Sequence, residues 1–317
     1  MKASDYIRKI AGKNKQKLIR ALKPERDPYV KDVDLDVISD GALKAGNQLR
    51  GEKRPPSLMV YGVTTRSGTN YVANLLAYHP DIEAWPNNVW EVPFLRHIGK
   101  IMDFEEGFFR NKNLSENMQE HDFLTIFGSA FMGYLHSFVP AEKTMLVKEP
   151  NVSFLPYFPV VFPNEHLLLI LRDGRDVVYS TLKSWPQVDF SDVCQRWNDS
   201  ARLILQFISK YKDNPAYMLI KYEDVVADPA KFIKTACDRY TLNVNTFPFK
   251  ELDTMPVIGS SVASQKDGAV TWDHVEKPKD FNPVGRWQSW PEQQKNIFKK
   301  IAGETLQEAG YCMDSDW

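Results

Sequence analysis

Short, wholly apolar runs alternate with longer amphipathic stretches along this chain. The apolar runs, rich in aliphatic and β-branched residues, are Leu58–Tyr61, Met145–Val147, Leu167–Leu171 and Tyr217–Ile220. Runs of this length predict strands that are buried on both faces of a parallel sheet. The stretches Val193–Tyr211 and Ala230–Tyr240 have helical periodicity and predict helices that connect such strands. We therefore expect an α/β fold, a three-layer sandwich around a central, mainly parallel sheet.

The pattern changes toward the N-terminus. In residues 1–23, aliphatic residues recur at roughly helical spacing among Lys and Arg, which predicts a basic amphipathic helix. Such a helix packs on its own domain or makes weak peripheral contact with an anionic membrane. Residues 24–56, with several Pro and charged residues, predict an irregular connector. We therefore expect an N-terminal extension over residues 1–50 and one large domain over residues 51–317.

A long segment late in the domain has a different character. Residues 249–283 show poor periodicity and many Asp, Pro, Gly and Ser residues. A loop of this length inside a domain commonly has a function. We expect it to cap a ligand that binds at the edge of the sheet.

The stretch Ser57–Pro80, SLMVYGVTTRSGTNYVANLLAYHP, predicts an anion site. An apolar strand runs into a turn of Ser, Thr and Gly residues that contains Arg66, and an amphipathic helix follows. Such a turn directs free N–H groups and the positive end of the helix dipole at one point, which favours phosphate or sulfate. Thr69, not Lys, follows Gly68, which argues against ordinary ATP or GTP hydrolysis. The structural alternative is a strand, turn and helix that bind no ligand.

A second stretch of the same kind is His166–Trp185, HLLLILRDGRDVVYSTLKSW. Arg172 stands at the carboxyl end of its predicted strand, where ligands bind in open α/β sheets. Ser180 follows about two helical turns later. A guanidinium and a hydroxyl at one point suit a second phosphate. The alternative is that the Arg and Asp residues of this turn only form surface ion pairs, which stabilise little.

These two stretches resemble the PAPS-dependent sulfotransferase family, whose donor is 3′-phosphoadenosine 5′-phosphosulfate (PAPS). The family's 5′-phosphosulfate loop, K/R-S/T-G-T-T, is matched by Arg66-Ser67-Gly68-Thr69-Asn70. Its 3′-phosphate motif, R-D/N-P-R/K-D-V-x-x-S, is matched by the residues from Arg172 to Ser180. Lys221–Asp224 and Val284–Trp287 are similar to later landmarks of the family, in the same order. The resemblance implies a P-loop NTPase-like sulfotransferase fold.

The resemblance also implies an activity. A sulfuryl group would move from PAPS to a hydroxyl, or an amine, of a small metabolite or glycan, releasing adenosine 3′,5′-bisphosphate (PAP) without a metal. The residues that would bind the nucleotide are Arg66, Ser67, Gly68, Thr69, Asn70, Tyr71, Arg172, Ser180, Tyr222, Gly285 and Arg286. In this set Tyr71 and Tyr222 would contact the adenine, although Tyr71 also fits the apolar stripe of its helix.

Three departures from the family pattern bear on the chemistry. Asn70 replaces the second Thr of the loop, so an amide stands where a hydroxyl is expected. Gly174 replaces the Pro of the 3′-phosphate motif, which only loosens the turn. The stretch Lys148-Glu149-Pro150 lacks the catalytic His that the family's cytosolic phenol and steroid branch carries.

Sulfuryl transfer needs a group that takes the acceptor's proton. In the family's carbohydrate-modifying branch a Glu does so from the segment after the loop helix, and Glu91 has a similar position here. We expect Glu91 to be the base, with Arg66 neutralising the leaving phosphate and Lys148 facing the sulfonate. A solvated carboxylate without a catalytic role is the alternative for Glu91. The reserve candidates for the base are Glu149, His97 and Glu83.

Aromatic residues are concentrated in the segments that would surround an acceptor. They are Trp85, Trp90, Phe94, Phe104, Phe108, Phe109, Trp185 and Phe190. Such side chains suit a sugar ring, an aromatic alcohol or an alkyl chain. Core and helix packing is the alternative for several of them.

Charge and cysteine content narrow the functional class. The net charge of −1 gives no global field for nucleic acid or an acidic membrane. The three cysteines, widely spaced and odd in number, argue against a disulfide framework or a metal site, which favours a cytoplasmic location. No apolar run approaches the ~18 residues of a membrane span.

Two other functions remain open on the sequence. A P-loop kinase of small molecules is disfavoured by the missing Lys and by the second phosphate motif. A catalytically inactive nucleotide-binding module would explain Asn70 and the absent His as losses. The sequence leaves the oligomeric state and the choice between O- and N-sulfation undecided.

Overall fold

Five parallel strands form the centre of the computed structural model, which describes residues 26–29, 38–85, 91–110, 119, 121–258, 265–266, 269–270, 274–276, 278, 282–314 and 316–317. The strands are β1 (Leu58–Gly62), β2 (Ile82–Ala84), β3 (Thr144–Glu149), β4 (His166–Leu171) and β5 (Tyr217–Lys221). Their order across the sheet is β2-β3-β1-β4-β5. The four predicted strands are confirmed, and β2 adds an edge strand that the sequence pattern did not predict.

The strand order creates a crevice next to the central strand. β1 pairs with β3 on one side, with Val60 opposite Lys148, and with β4 on the other, with Gly62 opposite Ile170. The chain leaves β1 toward β2 and leaves β4 toward β5, which lie at opposite ends of the sheet. Ligands in open α/β sheets bind where the direction of the connections reverses in this way. The segments after β1 and β4 therefore flank the expected binding crevice.

Helices cover both faces of the sheet. Their bounds are α1 Asp40–Arg50, α2 Thr69–Ala77, α3 Gly99–Arg110, α4 Asp122–His136, α5 Phe158–Val161, α6 Gly174–Ser184, α7 Phe190–Lys210, α8 Tyr222–Ala227, α9 Pro229–Arg239 and α10 Glu292–Glu308. Successive residues of β1, β3, β4 and β5 alternate between two apolar cores, one on each face of the sheet. One core includes residues of α4, α6, α7 and α10, and the other includes residues of α2, α8 and α9. The expected three-layer α/β architecture is confirmed.

The prediction of an irregular connector over residues 24–56 was wrong, because α1 lies within it. The Ser39 side chain accepts a hydrogen bond from the Ala42 N–H (3.1 Å), and its own N–H and hydroxyl donate to Asp122. α1 packs closely on α4, since a Cβ added to Gly133 would lie 2.1 Å from the Leu49 carbonyl oxygen. The buried residues of α1 are Ala42, Gly46 and Arg50, so the apolar stripe was too weak to predict a helix.

The remaining sequence predictions about organisation have mixed outcomes. Among the described parts of residues 249–283 are a 3₁₀ helix at Phe249–Thr254 and four strands of two residues each. The strands are β6 Val257–Ile258, β7 Gln265–Lys266, β8 Ala269–Val270 and β9 His274–Val275. The capping role of this region stays a prediction, and the predicted helix of residues 1–23 lies outside the described residues. Within the described ranges, no helix has both the length and the hydropathy needed to cross a bilayer.

Candidate active site

The turn after β1 is closed by its own side chains. The Ser67 hydroxyl donates to the Thr64 carbonyl oxygen at 2.7 Å, and Arg66 and Gly68 both have positive φ, 70° and 92°. α2 begins at Thr69 with Gly68 as its N-terminal cap. The backbone N–H groups of Thr69, Asn70 and Tyr71 in the first turn of α2 have no acceptor within the helix, so they can bind an anion.

The Tyr222 ring packs against this turn. A Cβ added to Gly68 would lie 2.2 Å from Cδ2 of Tyr222, so the ring packs directly on the glycine. The Arg172 guanidinium lies 4.4 Å from the centroid of the same ring, and Tyr71 meets it edge-on at 6.1 Å. Tyr222 is only 6% exposed, which makes it part of the wall between the two predicted anion-binding segments. An adenine contact for either tyrosine stays a prediction.

The two predicted anion-binding segments meet at Arg66. Its Nε donates to the Ser180 hydroxyl at 3.1 Å, and its carbonyl oxygen accepts a hydrogen bond from Nη1 of Arg172 at 2.7 Å. Ser180 and Arg172 belong to the segment after β4, whereas Arg66 belongs to the segment after β1. Both segments therefore contribute to one site in the crevice beside β1.

A third segment, near the C-terminal end of the sequence, contacts this site. Nη2 of Arg172 donates to the Pro283 carbonyl oxygen at 2.6 Å. Two residues later Gly285 has a positive φ of 79° and begins a 3₁₀ helix, Arg286–Ser289. Nε of Arg286 donates to the Asn282 carbonyl oxygen at 2.7 Å. Arg286 therefore stands on a tight turn that is attached to Arg172.

Positive charge accumulates where these segments meet. Burial, with the neighbouring Arg172 and Arg286, lowers the pKa of Arg66 to about 10. The pKa of Arg286 is also lowered, first by burial and then by Arg172. Nε of Arg172 is buried and has no hydrogen-bond partner among the described residues. Mutual repulsion of partly buried guanidinium groups is relieved when an anion binds between them.

A second polar group lies on the other side of β1, at the carboxyl end of β3. The Lys148 ammonium and the Glu91 carboxylate are 3.1 Å apart, and the Val92 N–H donates to the Lys148 carbonyl oxygen. Glu91 therefore extends the sheet edge beside Lys148. Burial lowers the pKa of Lys148 despite the opposing effect of Glu91. The catalytic roles predicted for both residues stay predictions.

The reserve candidates for the base have different surroundings. Glu149 is buried, forms an ion pair with Arg96, and has its pKa raised mainly by burial. His97 is exposed on the 3₁₀ helix Leu95–His97. Glu83 pairs with Lys143 at 2.8 Å and lies opposite Met145, toward the amino end of β3. Of these three, Glu149 is the residue directly adjacent to the Lys148–Glu91 pair.

The aromatic residues predicted to surround an acceptor fall into separate contacts. Phe94 stacks on Phe131 with ring centroids 4.8 Å apart, and Phe190 meets Trp290 at 5.2 Å. Trp85 contacts Phe138, whereas the rings at 104, 108 and 109 contact Phe123. Trp90 lies outside the described residues. The ring contacts of the described part thus indicate packing at several places and no single aromatic pocket.

Sequence reasoning missed two carboxylates that organise the site. Asp176 accepts hydrogen bonds from the N–H groups of Gly285 and Trp287. Glu223 accepts from the Asp173 N–H at 3.0 Å and from the Tyr311 hydroxyl at 3.1 Å. Both residues lie within matched motifs, but their partners are backbone groups or distant side chains. The sequence gives no signal for such partners.

Comparison with known proteins decides the family. The model of the family described as "Sulfotransferase family" matches residues 56–246, more than half of the chain. The chain belongs to the sulfotransferase family. This confirms the resemblance. The matched region contains all five strands of the central sheet and the segments that follow β1 and β4, but not the late turn at Gly285.

Two relatives that are similar in sequence are also named as sulfotransferases. The chain is 22% identical to protein-tyrosine sulfotransferase 1 of Danio rerio over 248 residues, 74% of this chain and 66% of that protein. It is 27% identical to protein-tyrosine sulfotransferase 1 of Homo sapiens over 169 residues, 49% of this chain and 43% of that protein. The chain thus spans less than two thirds of either relative. A solved mouse sulfotransferase complexed with PAP is similar with a TM-score of 0.44 and 12% identity, covering 86% of this chain and 95% of that one.

Proposed function

We propose that this member of the sulfotransferase family transfers a sulfuryl group from PAPS to a hydroxyl, or an amine, of its acceptor and releases PAP. The observation that carries the proposal is the meeting of Arg66, Arg172 and Arg286 at the carboxyl edge of the sheet. A nucleotide with phosphate at both the 3′ and 5′ positions offers two anions to such a site.

The residues present fit the two ends of that nucleotide. The first-turn N–H groups of α2 and the Arg66 guanidinium would bind the 5′-phosphosulfate. Arg172, Ser180 and Arg286 would bind the 3′-phosphate, and the buried Nε of Arg172 is a donor that lacks a partner in the described part of the chain. The Arg66–Ser180 hydrogen bond supports a span short enough for one nucleotide.

Three residues of the chain would each have a separate role in the transfer. PAPS supplies the sulfuryl group that is transferred. Glu91 takes the proton of the acceptor hydroxyl as the new S–O bond forms, a role supported by its pairing with Lys148 at the end of β3, the strand next to β1. Arg66 neutralises the charge that develops on the phosphate oxygen as the old S–O bond breaks. Lys148, held at 3.1 Å by Glu91, stabilises the sulfonate oxygens in the transition state.

We propose a small metabolite or glycan as the acceptor. A tyrosine side chain of a protein is the second candidate, which is favoured by the names of the curated relatives. Both acceptors present a hydroxyl, so the chemistry above applies to either. We also propose a cytoplasmic location, which is supported by three free thiols, two of them buried.

Two measurements on the full chain test the proposal. PAP should raise the melting temperature by several degrees more than AMP at equal concentration, because only PAP carries the 3′-phosphate. Labelled PAPS, offered with sugars, small alcohols, phenols, amines and tyrosine peptides, should then yield a labelled product with at least one class. Equal shifts by PAP and AMP would contradict the two-anion site. PAP binding without transfer to any acceptor would favour an inactive nucleotide-binding module, and phosphorylation of an acceptor by ATP and Mg²⁺ would favour a kinase.

A further inference from the structure

The turn that carries Arg286 is anchored by a buried carboxylate on α6. Oδ2 of Asp176 accepts the Gly285 N–H at 2.7 Å, and Oδ1 accepts the Trp287 N–H at 3.2 Å. Asp176 is 1% exposed. Hydrogen bonds from N–H groups to an ionised carboxylate are stronger than those between neutral groups. The residues on either side of Arg286 are therefore held by one side chain.

A second contact attaches the same turn to the same helix. The Arg175 guanidinium lies 3.9 Å from the centroid of the Trp287 ring and 4.5 Å from that of Trp317. Arg175 is itself held by Asp173, with Nη2 donating to Oδ2 at 2.7 Å. The first residues of α6 thus hold the turn by its backbone and by its aromatic side chain.

Arg172 attracts this carboxylate in the free chain, but charge alone would not explain a carboxylate next to a bound phosphate. Asp176 is close enough to Arg172 for the two charges to interact, and Arg172 is part of the proposed phosphate site. A carboxylate near a bound phosphate weakens anion binding through repulsion. Its two backbone hydrogen bonds point instead to a geometric role.

We infer that Asp176 is a positioning residue for the donor nucleotide: its carboxylate holds the Gly285–Trp287 backbone and so keeps the Arg286 guanidinium beside Arg172. This inference rests on the proposed function, because it concerns the 3′-phosphate site. It adds to that function a residue that does not touch the nucleotide. The late turn becomes part of the binding site through Asp176.

The test is a double-mutant cycle on the full chain, with the Kd for PAP measured by calorimetry. Asp176→Asn should raise the Kd about tenfold, because an amide cannot accept both N–H groups. In an Arg286→Ala background the same change should alter the Kd less than about twofold. The control is Asp189→Asn, which removes an exposed carboxylate that accepts two backbone N–H groups, of Ser191 and Asp192, on one oxygen at the start of α7. It should leave the Kd within about twofold.

The sign of the effect separates positioning from electrostatics. Loss of a negative charge near the phosphate would by itself tighten PAP binding, whereas loss of positioning weakens it. A lower or unchanged Kd for Asp176→Asn, or an equal rise in both backgrounds, would overturn the inference while leaving the proposed function intact. Failure of the unaltered chain to bind PAP would overturn both.

A second variant tests the same idea from the turn, in case Asp176→Asn does not fold. Gly285→Ala meets no atom closer than 3.6 Å but strains the positive φ of 79°. Gly285→Asn tolerates that conformation better. We expect the Ala variant to weaken PAP binding about as much as Asp176→Asn does and the Asn variant to weaken it less. Equal affinities for the Ala variant and the unaltered chain would contradict the need for this turn geometry.

Discussion

Exposure distinguishes the two carboxylates that flank Lys148. The Glu91 side chain is 32% exposed and the Glu149 side chain only 1%, although both residues lie beside Lys148 at the carboxyl end of β3. A general base must come within hydrogen-bond distance of an acceptor that arrives from solvent. Glu91 is paired with Lys148 but remains partly open to solvent, whereas Glu149 is enclosed and paired with Arg96. This difference in exposure favours Glu91 over Glu149 as the base.

Glu91→Gln should lower kcat about a hundredfold or more while the Kd for PAP changes less than about twofold. The amide keeps a hydrogen-bond acceptor for Lys148 but cannot take a proton at neutral pH. Steady-state turnover with the best acceptor from the labelled-PAPS screen, beside calorimetric PAP binding, measures both quantities.

The control for this prediction is Glu149→Gln, which removes a buried charge that also lies next to Lys148. We expect it to destabilise the fold through loss of the Arg96 ion pair and to lower kcat less than about tenfold. Normal turnover in Glu91→Gln together with a large loss in Glu149→Gln would transfer the role of base to Glu149.

Gly68→Ala should destabilise the fold by about 1–3 kcal/mol and abolish PAP-induced stabilisation. The φ of 92° disfavours any L side chain, and the new Cβ would lie 2.2 Å from the Tyr222 ring. Gly107→Ala is the control, because Gly107 lies in α3 with no atom within 4 Å of its Cβ position. It should stabilise the fold by about 0.5–1 kcal/mol. Thermal unfolding with and without PAP measures both variants, and equal behaviour of the two would contradict the role assigned to Gly68.

Among the secondary-structure elements, the strands could be predicted from the sequence because both faces of the sheet are buried. β1, β3, β4 and β5 each contain a continuous apolar run, so their existence could be predicted from sequence. β2 has only three residues, and α1 presents small residues to α4, so neither has a strong periodic signal. The helix start at Ser39 was nevertheless encoded by a Ser followed by Asp40 in the first turn.

Ser39→Ala should lower the free energy of unfolding by about 1–2 kcal/mol. The change removes the cap on the Ala42 N–H and leaves one oxygen of the buried Asp122 with fewer donors. Ser137→Ala is the control, since its hydroxyl is exposed and donates to the Tyr134 carbonyl oxygen of its own helix end. Urea unfolding should show a lower free energy of unfolding for Ser39→Ala and almost no change for Ser137→Ala. Similar decreases in the two variants would contradict the capping role.

At the scale of the whole molecule, the sequence was informative about which segments meet and uninformative about how they are held. Arg66 and Arg172 follow neighbouring parallel strands, so their convergence could be predicted from strand order. The contacts of Arg172 with the Pro283 carbonyl oxygen, and of Asp176 with two N–H groups, involve backbone. Nearly every residue has a backbone N–H and a carbonyl group, so the sequence does not indicate which of them will be the partner.

Acid should weaken the fold through His136. Burial, with Arg50 and Arg54 nearby, lowers its pKa to about 4 from 6.5. Because the folded value is the lower one, the unfolded chain binds the proton more readily between these two pH values. The stabilisation is complete above pH 6.5 and is lost as the pH falls toward 4, by about 1–3 kcal/mol.

Chemical denaturation across this pH range measures the effect. His136→Gln should reduce the pH dependence without removing it, because burial also lowers the pKa of His166. His97→Gln, a change at an exposed position, should leave the slope as it is. An unchanged slope in His136→Gln would exclude His136 as the acid-sensitive group.

Arg172 donates to the Arg66 carbonyl oxygen and to the Pro283 carbonyl oxygen, which are separated by most of the chain's length. During synthesis on the ribosome, the strands and the first loop emerge long before residue 283. A nascent polypeptide could therefore assemble the sheet early and still be unable to retain donor until translation is nearly finished. Termination between residue 221 and that proline would leave every strand of the central sheet but remove the turn that carries Arg286, and we expect such a product not to retain the donor.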